Sequence, residues 1–314
     1  MTALDALRDI DFLVPLLAGM ALTAACSLIS VLVTLKRLAF IGQGISHAGF
    51  GGVGLASFLA LTGFSRELII FAFCVLTGLL IGALTRTRKI MIDTAIGVML
   101  VATMAIGFLL DQMRINLRGV EWYQTLVNDR NLGLTPTSWE NVLFGSILWV
   151  RSEDLWIALA VSVVVIGILA FFFREIVFYA FDETVSRVFG VRVSILHYLV
   201  LGLLAALIVM TMKLVGLILV NALLVVPGAT ANLLSRRLGV VLLLSVVIGE
   251  IGMVGGYLLA FQVLGGEVGP GPWVVLLLGL QFALALGWSR VRQPSENAPI
   301  SAAATDRRNG PPQA

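Results

Sequence analysis

Apolar runs of about 20 residues recur along the chain, each closed by a short polar or basic stretch. The runs are continuous rather than alternating, so they predict helices that cross a membrane and exclude a transmembrane barrel. Nine spans are expected, near residues 12–35, 38–62, 68–84, 94–110, 155–173, 195–212, 215–234, 240–261 and 273–288. The second span is broken by glycines and the seventh carries Pro227-Gly228, so merging or splitting one gives eight or ten.

Basic residues fix the expected orientation. Lys36 and Arg37, Arg86, Arg88 and Lys89, then Arg174, Arg187 and Arg192 fall on one side, as do Arg236, Arg237, Arg290 and Arg292. Positive charge marks the cytoplasmic loops, so nine spans place the N-terminus outside and the C-terminus inside. Composition agrees: 59% of the 314 residues are hydrophobic and 12% are charged, against about 25% charged in a soluble domain. A net charge of +3 spread over short loops gives no nucleic-acid footprint. The N-terminus makes a poor signal peptide, because Arg8 lies among Asp5, Asp9 and Asp11. Cys26 and Cys74 both fall in apolar spans and read as small buried residues.

Two connecting segments are more than links. After Asp111 a long polar outer segment contains Thr137-Ser138-Trp139-Glu140, with capping-box spacing for a helix over 138–148. On the inner side, 182–190 predicts a two-turn helix: Asp182 as N-cap, Glu183 at the positive end and Gly190 as the stop. Its apolar Val185, Val188 and Phe189 need a cover, either the chain's own helices or a partner's groove.

The chemistry sits inside the membrane. In GQGISHAGFGG, Gln43 and His47 are four apart and share a face, and Gly44, Ala48, Gly52 and Ala56 form a small-residue stripe for close helix contact. Imidazole is a common transition-metal ligand and an amide carbonyl a weaker one, although either side chain also suits an interhelical hydrogen bond. Glu250 lies midway along the eighth span, between Gly249, Gly252 and Gly256. An intramembrane carboxylate there suits a metal ligand, a proton site or a buried donor. Asn221 precedes Pro227, whose freed carbonyls suit a cavity wall. No phosphate-binding G-x-x-x-x-G-K-[ST] loop, HExxH or CxxC occurs, so no enzyme chemistry is indicated.

With these residues in place, the chain resembles the ABC-3 family, the membrane permease subunits of ABC importers for zinc, manganese or iron. The likeness rests on RLAFIGQGISHAGFGGVGLA at 37–56, DTAIGVML at 93–100, NVLFGSIL at 141–148, AFDETVSRVFGVRV at 180–193 and VGLILVNALLVVPGATANLL at 215–234. It implies an all-α bundle of the type II ABC-importer kind, with residues 1–290 as the transmembrane domain and 291–314 as a disordered cytoplasmic tail. It also implies a homodimer in the inner membrane, separate ATPase subunits that bind ATP, and an extracytoplasmic metal-binding protein. The divalent metal is then cargo, with no permanent cofactor. The resemblance assigns ATPase coupling to Asp182, Glu183, Ser186, Arg187 and Gly190. His47, Gln43, Glu250 and Asn221 become the candidate metal path, with Gly44, Gly52, Pro227, Gly252 and Gly256 serving packing or gating. Many members read G-D-x-x-S-H-A where this chain has Gln43, so the aspartate four residues before the histidine is an amide here. Glu250 is the candidate replacement for that charge. The alternative class is a secondary transporter whose coupling proton rides on Glu250.

Overall fold

The computed structural model describes residues 10–36, 38–86, 91–117, 120, 152–264 and 269–292. Among these, eleven helices follow one another: α1 (Ile10–Leu35), α2 (Ala39–Phe58), α3 (Gly63–Arg86), α4 (Ile92–Leu117), α5 (Ser152–Phe171), α6 (Phe173–Phe181), α7 (Glu183–Val188), α8 (Val193–Val215), α9 (Leu217–Leu234), α10 (Leu238–Leu264) and α11 (Pro270–Arg292). Eight are long and apolar enough to cross a membrane, and α2 is not among them.

Chain direction nevertheless makes α2 a ninth crossing. Lys36 at the end of α1, Thr85 at the end of α3, Ile92 at the start of α4 and His197 at the start of α8 line one pocket together with Glu183 of α7. Both α1 and α3 therefore finish on the α7 face, and α2 must return between them. Its 20 residues reach about 30 Å, the thickness of a bilayer core. Thirteen of the 20 are buried. Its neighbours thus shield it from lipid, so its glycines, Gln43 and His47 are tolerated without a fully apolar surface. The nine crossings among the described residues put Ile10 and Arg292 on opposite faces, with the C-terminal end of α11 on the α7 side.

Close approach sets the packing around α2. It runs parallel to α4, with Gly44, Gly51 and Gly54 opposite Ile96, Thr103 and Gly107. It runs antiparallel to α3, with Gly44 near Ile81 and Gly52 against the backbone of Ile70. α9 lies between α1 and α2: Gly228 rests on the Ser30 backbone of α1, and Leu224 rests on Gly42 of α2. On the other flank of α1, α10 meets Thr23 and Ser27 through Gly249, and α11 through Gly252 and Gly256. Cys26 and Cys74 are buried free thiols.

Two boundaries differ from the sequence reading. α4 continues to Leu117 instead of opening into a polar loop at Asp111. Asp111 and Arg114, three apart on the helix, pair at 3.1 Å and neutralise each other while almost fully buried. At the other boundary, the fifth span stops at Phe172, and a separate amphipathic helix, α6, follows. α6 buries Ile176, Tyr179 and Ala180 and exposes Phe178 and Phe181. α11 runs to Arg292, so the first two residues of the expected tail are helical; the helix expected over 138–148 and residues 293–314 lie outside the described residues.

Candidate functional site

Four faces of α2 are occupied by neighbours, and the fifth is chemical. Gly42 and Ser46 face α9, Gly49 faces Met212 of α8, Gly52 faces α3, and Gly51 and Gly54 face α4. Gln43, His47 and Phe50 fall between the α9 and α4 sides, three and four residues apart. Gln43 and His47 are half-buried, and Phe50 is 2% exposed. The imidazole stacks on the Phe50 ring with centroids 6.0 Å apart, and Phe50 stacks on Phe108 of α4 at 6.5 Å. The ring plane of His47 is thereby set, while its buried Nδ1 has no hydrogen-bond partner. That leaves a ligand-capable nitrogen beside an amide.

Asn221 comes to the same place from α9. Ser46 Oγ has two acceptors in reach of its one proton, Asn221 Oδ1 at 3.1 Å and the Gln43 carbonyl at 3.0 Å, so α9 meets α2 one residue before His47. Ser46 escaped the sequence reading because its hydroxyl has no signature beyond the spacing from Gln43. Pro227 stands inside α9 without ending it. One turn along, Thr230 Oγ1 donates to the Val226 carbonyl at 2.7 Å, a side-chain bond beside the ladder that the proline breaks.

Glu250 occupies a different neighbourhood. It is half-buried on α10, which packs on α1, α9 and α11, whereas α2 packs on α3, α4, α8 and α9. One carboxylate oxygen, Oε2, is buried without a hydrogen-bond partner. Among the described helices, α9 packs substantially on both. Among the described residues no group of three or more His, Cys, Asp or Glu side chains converges to hold a metal. Two neutral donors on one face suit brief contact with a passing cation, since a tight cage would slow release.

The α7 face is built from Asp182 outward. Asp182 is extended (φ −151°, ψ 111°), and its Oδ1 accepts from the backbone of Thr184 at 2.7 Å and Val185 at 3.0 Å. This satisfies two of the free N–H groups of a six-residue helix, which would be marginal without a cap. Gly190 ends the turn at φ +79°, a backbone region that favours glycine. Ser186 is fully buried and donates to the Asp182 carbonyl at 2.6 Å. Arg187 is exposed, as are Val185, Val188 (81%) and Phe189 (72%). Among the described residues the chain does not cover this apolar surface.

Lys36 anchors the helix from below. Its ammonium pairs with the Glu183 carboxylate, donates to the Tyr179 carbonyl at 3.2 Å and sits 3.8 Å above the Tyr179 ring. The Tyr179 hydroxyl shares a 2.7 Å hydrogen bond with His197 Nδ1 of α8. Burial first, then the Glu183 carboxylate, hold the Tyr179 phenol well above its ordinary range, so it stays protonated. Lys36 had appeared only as an orientation marker, and the sequence pattern did not single out His197. Their partners lie more than 140 and nearly 20 residues away, where local patterns cannot reach.

A nine-crossing bundle with a half-buried polar face and a capped, uncovered short helix on one side is a polytopic membrane protein of the transporter type. The profile of the ABC 3 transport family matches residues 10–288, and the chain belongs to that family. It is 33% identical over 275 residues to the manganese transport system membrane protein MntC of Halalkalibacterium halodurans, covering 86% of each chain. Identity to the manganese import system permease protein ScaB of Streptococcus parasanguinis is 28% over 285 residues, covering 90% of this chain and 92% of that one. The solved structure of PsaBC from Streptococcus pneumoniae in complex with Fab superposes with a TM-score of 0.73 at 25% identity, covering 90% of this chain and 94% of its counterpart.

Proposed function

We propose that this chain is the membrane-spanning permease subunit of an ATP-driven importer that carries a divalent transition metal, manganese first, into the cytoplasm. The observation that carries the reading is the family match over nearly the whole bundle, 10–288, with relatives named for manganese transport at similar length. A relative named for iron keeps ferrous iron as the second cargo, and zinc follows from ligand chemistry alone.

His47 and Gln43 are the transient ligands, and Asn221 positions them through Ser46. Glu250 supplies negative charge elsewhere along the route. The half-buried sector of α2 that carries Gln43 and His47 suits a pathway shared with a second copy of the chain, so the subunit works as a homodimer in the inner membrane. α7 is the dock for the ATPase subunit: Val185, Val188, Phe189 and Arg187 meet it, while Asp182, Glu183, Ser186 and Gly190 hold the helix in shape. ATP binds on that partner, since this sequence has no phosphate-binding loop. A metal-binding protein delivers cargo at the opposite face. The proton-coupled alternative through Glu250 is not favoured, because the family match points to ATP-driven transport.

The test is total metal content by mass spectrometry in metal-limited cells lacking the gene. Cultures are complemented with wild type or His47→Ala at matched protein levels. Manganese should fall on deletion and return with wild type alone. Unchanged metal, with the partner subunits confirmed present, would remove the importer reading.

A further inference from the structure

α9 grips one neighbour near each end. Toward the α7 side, Asn232 Nδ2 donates to Thr34 Oγ1 of α1 at 3.0 Å. Two residues beyond Thr34, Lys36 holds Glu183 of α7 and both the carbonyl and ring of Tyr179. The Lys36 side chain is 14% exposed and that of Glu183 44%, so the junction is sheltered on the α1 side and open to water on the α7 side. Toward the other end, Asn221 accepts from Ser46, the residue before His47. Pro227 stands between the two asparagines and withholds the N–H that would bond the Leu223 carbonyl. A helix bends most readily at such a point. Beside the proline α9 is held closely against α1, where a Cβ on Gly228 would come within 2.5 Å of the Ser30 backbone, so α1 is the support about which α9 bends.

We infer that α9 is a hinged lever whose positioning residues are Lys36, Asn232 and Asn221. A displacement of α7 reaches α1 through Lys36, passes to α9 through Thr34 and Asn232, bends α9 at Pro227 and shifts Asn221, Ser46 and the adjoining His47. The inference rests on the transport reading above. It adds the route by which ATP hydrolysis on one face is felt by cargo inside the membrane.

The experiment uses the complete complex with its ATPase subunits in proteoliposomes, with Mn2+ supplied through the binding protein. Uptake and ATP hydrolysis are read from the same sample. Lys36→Met and Asn232→Leu should each lower metal ions moved per ATP by about fivefold while hydrolysis continues. The double variant should be no worse than the worse single, because both cut one relay. Lys36→Arg keeps the charge and should recover most of the ratio. Pro227→Ala touches neither contact and should also lower the ratio, which keeps the test open if a polar variant fails to assemble. The lever is wrong if uptake and hydrolysis fall in proportion, or if the two single losses multiply. Wild type that moves no metal would sink the transport reading itself. Wild type that transports, beside variants with an unchanged ratio, would sink the lever alone.

Discussion

A methyl group added at Gly54 should damage the bundle far more than the same methyl at Gly97. At Gly54 a Cβ would stand 2.4 Å from the Gly107 carbonyl oxygen and 2.6 Å from its Cα, so the obstacle is backbone. Ordinary contact begins near 3.4 Å, so α2 and α4 must part by about 1 Å, an overpacking that costs about 1–3 kcal/mol. At Gly97, one face of α4 away, nothing lies within 4 Å. Both glycines are helical, and replacing either by alanine gains up to about 1 kcal/mol of helix propensity. That gain cancels in the comparison, so the difference between the two variants isolates the clash. Gly49 is an internal control, because its nearest atom is the Met212 sulfur at 2.6 Å, the end of a flexible side chain. Gly49→Ala should therefore cost less than about 1 kcal/mol. The assay is reversible SDS unfolding of purified protein in mixed micelles, with midpoints converted to free energies. Gly97→Ala should match or exceed wild type, Gly49→Ala should fall slightly, and Gly54→Ala should fall by about 1–3 kcal/mol relative to Gly97→Ala. Equal midpoints for Gly54→Ala and Gly97→Ala would refute the close α2–α4 contact.

Two further outcomes follow from the site. Val188→Asp should abolish copurification of the ATPase subunit while leaving the SDS midpoint of the chain unchanged, since the side chain is 81% exposed and braces nothing; retained copurification would move the dock away from α7. Gln43→Asp should increase Mn2+ retained by the permease in equilibrium dialysis, because a carboxylate beside His47 adds charge to a neutral donor pair; no increase would mean that this face of α2 does not meet the cargo.

The crossings were legible because lipid imposes length and apolarity on each span separately, and that information is local. α2 shows the limit of such reading. The sequence pattern counts it as a span near 38–62, its helix is not among the eight long and apolar enough to cross, and its neighbours' directions agree with a crossing. The small-residue stripe Gly44, Ala48, Gly52 and Ala56 suggested a single contact face. In the fold Gly44 lies between α4 and α3, Gly52 meets α3, Gly51 meets the Phe73 ring of α3 and the backbone of α4, and the tightest backbone contact is that of Gly54 with Gly107 of α4. A helix wrapped on several sides needs several smooth faces, and period alone does not say which neighbour meets which. Asp182 and Gly190 were readable as a cap and a stop because both act within a few residues. Lys36 was not, because its partners come from α6 and α7. The buried Asp111–Arg114 pair was missed for the opposite reason: the charges look like a loop until three-residue spacing lets them cancel on a helix.

The uncovered surface of α7 also bears on the lifetime of the subunit in the cell. Val188 and Phe189 present large exposed apolar groups, and the exposed Phe178 ring lies 6.0 Å from that of Phe189. An apolar patch on an aqueous face invites chaperones, proteases and self-association until something covers it. On the proposed reading that cover is the ATPase. A copy synthesised in excess of its partner then carries its own degradation signal, and the number of permeases that persist is set by the supply of ATPase subunits rather than by the synthesis of this chain.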